Sequence, residues 1–315
     1  MAHYLVTGGA GFIGSHLVEE LLRRGESVRV LDDLSSGTRT NLEAAAAAAG
    51  TAVPEFLEGD VADPALARRA TEGIDYVLHQ AAIPSVPRSV ADPARSNHAN
   101  IDGTLSILVA ARDAGVKRLV FAGSSSVYGD AAALPKREDM PYNALSPYAL
   151  QKQVGEQYLR LFTALYGLET VTIRYFNVFG PRQDPSSPYS GVISLFVKAA
   201  REKRAPTIYG DGGQTRDFTY VANVVDGVLR ATVAAGVSGQ VINVATSGRV
   251  SLNELWAQVR ALLHADVAPV YAAPRAGDIR DSQADITKAA TLLGYRPSVP
   301  FDEGLRRTVA WATVG

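Results

Sequence analysis

The chain has 315 residues, of which 47% are hydrophobic and 20% charged, and a formal net charge of -1. This balance describes an ordinary globular protein with room for one large α/β domain or a dinucleotide domain plus a smaller lobe, and it argues against nucleic acid or an anionic membrane as a main partner. There are no cysteines, which excludes disulfides, zinc–thiolate sites and thiol nucleophiles, and the five histidines at 3, 16, 79, 98 and 264 lack metal-ligand spacing, so no metal is expected.

The chain opens on an apolar stretch, Tyr4-Leu5-Val6-Thr7, without the basic start and unbroken apolar run of a secretory signal. No segment approaches the ~18 apolar residues of a membrane span. A cytoplasmic protein is therefore expected. Strands are predicted over 4–7, 28–31, 55–57, 76–79, 119–122 and 171–174, with helices over 13–24, 93–114 and 148–166. Such alternation implies a parallel sheet covered on both faces. The alanine run at 44–49 reads as a surface helix with no chemistry.

Between the first strand and helix lies Gly8-x-x-Gly11-Phe12-Ile13-Gly14. Glycines at this spacing permit a tight turn and close approach of a pyrophosphate, whose charge meets the helix N-terminus. Asp32, with Asp33 beside it, ends the second strand. A carboxylate there accepts from an adenosine ribose and repels a 2′-phosphate, which favours NAD over NADP. Asp60-Val61 follows the third strand, where Asp60 reads equally well as an adenine-side contact or a turn aspartate. After the fifth strand comes Ser124-Ser125-Ser126-Val127-Tyr128-Gly129. Small hydroxyls at a strand's carboxyl end can hydrogen-bond a substrate hydroxyl without filling the pocket. Tyr148 and Lys152 then stand at i and i+4 of a predicted helix, on one face, where a nearby ammonium would lower the phenol's pKa and prepare it to take a proton.

Beyond residue 177 the pattern loosens. The stretch 180–188 is a loop by composition. Helices or strands are expected over 192–203, 241–244, 252–263 and 301–312. Residues 1–177 are read as the cofactor domain, with later segments returning to it, and 178–315 mainly as a lobe capping the strand carboxyl ends.

Taken together these motifs resemble the extended short-chain dehydrogenase/reductase superfamily, and within it the NAD-dependent UDP-sugar 4-epimerases. The likeness runs over nearly the whole chain, through His79-Gln80-Ala81-Ala82, Asn100-Ile101-Asp102-Gly103-Thr104, Arg174-Tyr175-Phe176-Asn177, Gly210-Asp211-Gly212, Thr215-Arg216-Asp217-Phe218 and Arg275-x-Gly277-Asp278. It implies an α/β, Rossmann-type doubly wound parallel sheet with a smaller C-terminal substrate lobe, an NAD cofactor and a homodimer. Residues implied to contact the cofactor are Gly8, Gly11, Phe12, Ile13, Gly14, Asp32, Asp33, Asp60, Val61, Ala81, Ala82, Asn100, Tyr148, Lys152 and Tyr175. Tyr148 is implied to be the base at the sugar 4-hydroxyl, with Lys152 on the nicotinamide ribose and Ser124 on the 4-oxygen; Ser125 and Ser126 line the same region.

By the same resemblance Asn177, Val192, Tyr209, Arg216, Arg275 and Asp278 receive the nucleotide sugar, the arginines taking the pyrophosphate. Related dehydratases resemble Thr-Asp-Glu-Val-Tyr-Gly where this chain has Ser124–Gly129, and decarboxylases carry glutamate just before Val-Tyr-Gly. The lack of either carboxylate disfavours elimination and decarboxylation. Ser282 stands where relatives can carry a bulky tyrosine, leaving room for a 2-N-acetyl group, and Ser85 and Arg88 resemble the N-acetyl-preferring branch. The alternatives are an epimerase of another nucleotide sugar such as UDP-glucuronate, a net dehydrogenase or reductase, and a dinucleotide-binding sensor or scaffold.

Overall fold

The computed structural model describes residues 1–184, 191–274 and 279–314. Its first half runs β1 His3–Thr7, α1 Phe12–Arg23, β2 Ser27–Asp32, α2 Arg39–Ala49, β3 Glu55–Glu58, α3 Pro64–Thr71, β4 Tyr76–His79, α4 Val86–Ala91, α5 Pro93–Asn97, α6 Gly103–Asp113, β5 Arg118–Ser124, α7 Pro147–Tyr166 and β6 Glu169–Tyr175. The second half adds β7 Val178–Phe179, α8 Val192–Arg201, β8 Thr207–Tyr209, β9 Thr215–Arg216, β10 Thr219–Tyr220, α9 Val221–Val233, β11 Gln240–Val244, β12 Val250–Ser251, α10 Leu252–Leu262, β13 Val270–Ala272, α11 Thr287–Leu293 and α12 Phe301–Val314.

Seven strands make one sheet in the order β11-β6-β5-β4-β1-β2-β3, parallel throughout. Its central strands are apolar on both faces, as a sheet covered by helices on both sides requires. Along β1, Leu5 faces a core with Ile107, Leu108 and Leu159, while Val6 faces another with Leu17, Val18 and Val224. Strand order reverses between β1 and β4, which opens a crevice at their carboxyl ends. The chain returns to this sheet late: β11 pairs with β6.

Three elements depart from expectation. The helix predicted over 93–114 is interrupted by a π-helical turn, His98–Asp102, between α5 and α6. That wide turn turns Asn100 into the interior, where it is 2% exposed, and such turns gather at functional sites. Helix α9 was not anticipated. Its sequence, rich in β-branched valine, has weak helix propensity, and burial of Val221, Val224, Val225 and Val228 overrides it. The alanine-rich α2 also does more than sit on the surface, since Leu42 and Ala45 join the core.

Behind the crevice, Arg174 on β6 and Glu156 on α7 form an ion pair with side chains only 1% and 0% exposed. Two bonds join them, Nε to Oε1 at 3.0 Å and Nη2 to Oε2 at 2.7 Å. The Tyr142 hydroxyl also donates to Oε2 at 2.9 Å. A buried pair of this kind is costly to break from one side, because the remaining charge stays desolvated. Arg174→Met should therefore destabilise the fold by about 3–5 kcal/mol in urea denaturation, and adding Glu156→Leu should recover most of that loss.

Candidate active site

The crevice is built first from backbone. Gly8 lies at φ 67°, and a Cβ there would stand 2.7 Å from the Ala81 nitrogen. A Cβ on Gly14 would fall 2.1 Å from the Gly8 carbonyl oxygen. No side chain fits at either position. Helix α1 can therefore begin hard against the end of β1. Gly11, at its N-cap, supplies no side-chain bond, so the first N–H groups and the positive end of the helix dipole are left for an anion. This cradle fits the pyrophosphate of a dinucleotide. Asp32, 6% exposed, accepts from Ala10 N at 2.9 Å and Leu34 N at 2.8 Å. Burial raises its carboxyl above the usual range, with those two backbone bonds opposing. Asp33 is exposed and accepts from Ser35 N at 2.9 Å.

The wall beside the cradle comes from the loop after β4. Thr7 Oγ1 meets His79 Nδ1 at 2.7 Å, and His79 Nε2 meets Thr104 Oγ1 at 3.1 Å. Ala81 N donates to the same Thr7 hydroxyl at 3.3 Å, with Ala82 next to it, half-buried. Asn100 spends both amide donors inside the protein, on Ile83 O at 3.3 Å and Gln151 Oε1 at 2.7 Å. Its place is thus to hold the loop entering α4 rather than to donate to a ligand. Asp60 is exposed, accepts from Ala62 N at 2.8 Å and contacts His98 Nε2 at 2.8 Å. Locally it behaves as a turn aspartate, while Val61 beside it is buried against the π-helical turn's end at Gly103.

Tyr148 sits in the first turn of α7, half-buried, where Ser146 caps the helix and Pro147 starts it. Its backbone N–H donates to Ser89 Oγ at 3.1 Å, which fixes α4 against α7. The phenol is hydrogen-bonded to Ser124. Ser126 donates to Ser124 Oγ at 2.9 Å, so three hydroxyls form a continuous row. Ser125, beside them, is half-buried. Lys152 is 3% exposed; it donates to Ala122 O at 2.8 Å, and its Nζ lies 6.0 Å from the Tyr148 ring centroid. Burial pushes the Lys152 ammonium down to about 8, with Glu156 opposing.

One expectation changes here. Burial raises the Tyr148 phenol above its ordinary value, and the bond from Ser124 is what opposes the rise. The lysine, turned toward Ala122, does not overcome desolvation. Tyr175 ends β6 with its hydroxyl donating to Gln80 Oε1 at 2.8 Å. The Gln80 Nε2 donor is buried and unpaired, an orphan that suits a polar group of a bound cofactor.

The remaining predicted residues are spread over several elements. Tyr209, Asp211, Gln214, Tyr271, Pro274 and Arg280 line a cavity of about 650 Å³. Arg216 is half-buried on β9, its Nη1 donating to the carbonyls of Thr215 at 2.9 Å and Arg280 at 3.2 Å. Ser282, 9% exposed, donates its N–H to Thr215 O at 3.1 Å. Asn177 adopts φ 35° and donates to Asp217 O at 3.2 Å. Val192 opens α8. Ser85 caps α4 by accepting from Arg88 N at 3.3 Å, and Arg88 is half-buried on that helix. Arg275 and Asp278 lie outside the described residues. Sequence reasoning missed Ser89, Gln151 and the role of His79. Each acts through a partner far away in the chain, so no local spacing announces it.

Two measurements check this geometry. Gly14→Ala should reduce NAD retained through purification at least ~10-fold, read from nucleotide released on acid denaturation, because the added methyl displaces the Gly8 carbonyl. The second concerns histidines. Burial pushes His16 down to about 4 and His79 to about 3, from 6.5. Both bind protons in the unfolded chain before the folded one, so stability falls as pH drops below 6.5. Between pH 6.5 and 5 the loss should be about 1.5 kcal/mol per ring in urea denaturation. His98 has a raised pKa, so its contribution is complete below 6.5 and adds no slope in that window.

Comparison with known proteins agrees with this architecture. Residues 4–245 match the NAD dependent epimerase/dehydratase family. A UDP-glucose 4-epimerase of Mycolicibacterium smegmatis is 43% identical over 97% of this chain and 96% of its own. A UDP-N-acetylglucosamine 4-epimerase from Methanobrevibacter ruminantium M1, solved with UDP-N-acetylmuramic acid, superposes with a TM-score of 0.94 at 39% identity, covering 99% of this chain and 98% of its own. A UDP-glucose 4-epimerase from Thermotoga maritima, solved with UDP-glucose, gives 0.93 at 37% identity, covering 99% of both. The chain belongs to the NAD dependent epimerase/dehydratase family, and within it to the NAD-dependent UDP-sugar 4-epimerases, which are isomerases.

Proposed function

We propose that this protein interconverts UDP-GlcNAc and UDP-GalNAc by epimerisation at C4, with UDP-Glc and UDP-Gal as further substrates. The row Tyr148–Ser124–Ser126 beside Lys152 carries the chemistry of this reading. NAD, when bound, supplies the hydride acceptor and later the donor. Tyr148 takes the proton from the sugar 4-hydroxyl, and Ser124 donates to the oxygen that becomes a carbonyl. Ser124 Oγ accepts from Ser126 and so keeps its own proton to give, to the Tyr148 phenol in the structure and to the sugar oxygen when substrate enters. Lys152 stands with one of its three donors on Ala122 and others for the nicotinamide ribose. The 4-keto sugar then turns within the site, and Tyr148 returns its proton as the other face is reduced, so no net oxidation occurs.

The lobe receives the nucleotide in this reading. Tyr209 and Tyr271 flank a base in the 650 Å³ cavity, Arg216 and Arg275 take the pyrophosphate, and Asp278 takes the ribose. Asn177 takes a phosphate or the sugar, and Val192 borders the sugar. Support for the N-acetyl sugar is the small, nearly buried Ser282, where a tyrosine would crowd a 2-N-acetyl group, with Ser85 and Arg88 on α4, the helix tied to Tyr148 through Ser89. Residues 1–177 form most of the cofactor part and 178–315 most of the lobe. The homodimer is proposed on the resemblance, and exposed Leu150, Leu161 and Leu165 on α7 suit an apolar interface.

The test is proton NMR of purified protein with UDP-GlcNAc and no added NAD, repeated with UDP-Glc and UDP-glucuronate. Anomeric signals of UDP-GalNAc should grow fastest. Faster turnover of UDP-Glc would overturn the N-acetyl preference, and no product from any of the three, even with NAD added, would overturn the reading. Tyr148→Phe should lower kcat by about 10²–10⁴ while UDP still binds.

A further inference from the structure

A second polar cluster lies where the chain, having left β7, crosses back over α1. Arg182 sits there at φ 64°, a conformation that residues other than glycine rarely adopt and that persists only where surroundings enforce it. Its side chain is 11% exposed. Nη1 donates to Ser15 O at 3.1 Å and Nη2 to His16 Nδ1 at 3.0 Å, and the guanidinium also pairs with Glu19. His16 answers from its other nitrogen, with Nε2 3.0 Å from Pro181 O. A carbonyl oxygen only accepts, so Nε2 carries the proton and Nδ1 is the bare acceptor. The contact is thus reciprocal and works with a neutral imidazole.

Each side of this contact leads to a different part of the site. On α1, Phe12 opens the helix at the cofactor cradle and packs edge-on against His16, 5.9 Å between ring centroids. On the other side, the segment gripped by α1 begins at Asn177, itself at φ 35°. Between Asn177 and Arg182 the chain makes the short strand β7, paired with β10. Little slack remains in so short a connection held at both ends. Movement of the sugar-side segment away from the cofactor helix therefore has to break the Arg182 bonds first.

We propose that Arg182 is a positioning residue whose grip on Ser15, His16 and Glu19 keeps the Asn177 segment docked on the cofactor helix through turnover, and so retains the 4-keto sugar until it is reduced. This rests on the epimerase reading. A loosened segment lets the ketone escape after hydride has left the sugar. Each ketone released then leaves one cofactor in its reduced form, with no partner to oxidise it.

The experiment compares wild type, Arg182→Ala and Arg182→Lys, purified with their NAD. Bound NAD, UDP affinity by calorimetry and the near-ultraviolet absorbance of reduced nicotinamide during turnover are measured together. Arg182→Ala should keep its NAD, bind UDP about tenfold more weakly, and accumulate reduced cofactor as activity decays. Unchanged UDP affinity with no reduced cofactor would overturn the proposal. So would a parallel loss of NAD, UDP binding and melting temperature, which marks a merely structural role. If Arg182→Ala does not fold, Arg182→Lys decides. Its ammonium keeps the charge beside Glu19 but cannot span Ser15 O and His16 Nδ1 in the fixed guanidinium geometry, so it should show the same reduced-cofactor signal, and its absence overturns the proposal. A wild type inert to every UDP-sugar would sink the epimerase reading instead; UDP affinity then judges the docking role alone, upheld by the tenfold weakening and removed by no change.

Discussion

The close approach of Gly14 to the Gly8 carbonyl is the constraint from which the site follows. With no methyl between them, α1 starts directly at the end of β1 and aims its N-terminus into the crevice. The loop so formed is then tied to its neighbours by polar bonds. Ala10 N reaches Asp32 at the end of β2, and Thr7 reaches His79 and Ala81 at the end of β4. Three strand ends are thereby held in register around one anion-sized space. The topology supplies the space, since β1 is where the strand order turns.

Proton chemistry needs a dry place, and burial supplies it at a cost. Tyr148 is pushed up and Lys152 down, both toward their neutral forms, as desolvation dictates. The fold offsets this with specific partners. Ser124 opposes the rise of the phenol, and Glu156, held by Arg174 and Tyr142, opposes the fall of the lysine. The ion pair behind the sheet thus reaches the site electrostatically without touching it. His79 is kept neutral in the same interior, where it can bridge two threonine hydroxyls without adding charge.

Much of this was legible in the chain because it is local. The glycine spacing, Asp32 at the end of the second strand, the Ser124–Ser126 row and the i, i+4 relation of Tyr148 and Lys152 each lie within a few residues, and the first six strands were placed within two residues of their observed ends. The parts that were not legible are long-range. Ser89 finds Tyr148, Gln151 finds Asn100 and Arg182 finds α1 only after the sheet has assembled. Helix α9 was hidden for the opposite reason, because its valines favour strand locally and tertiary burial reverses the preference.

Alternation of strand and helix, the glycine cradle and the i, i+4 placement of Tyr148 and Lys152 are written in short stretches of chain, because backbone geometry and helical periodicity act over a few residues. Which hydrogen bonds these side chains keep is settled only once the sheet and its helices have assembled. Whether Lys152 faces the phenol or the Ala122 carbonyl, whether Asn100 donates to a ligand or to Gln151, and where Arg182 grips α1 all depend on which atoms the fold brings within about 3 Å. Hydrogen bonds and desolvation act only at that range, so no reading of spacing along the chain can fix them.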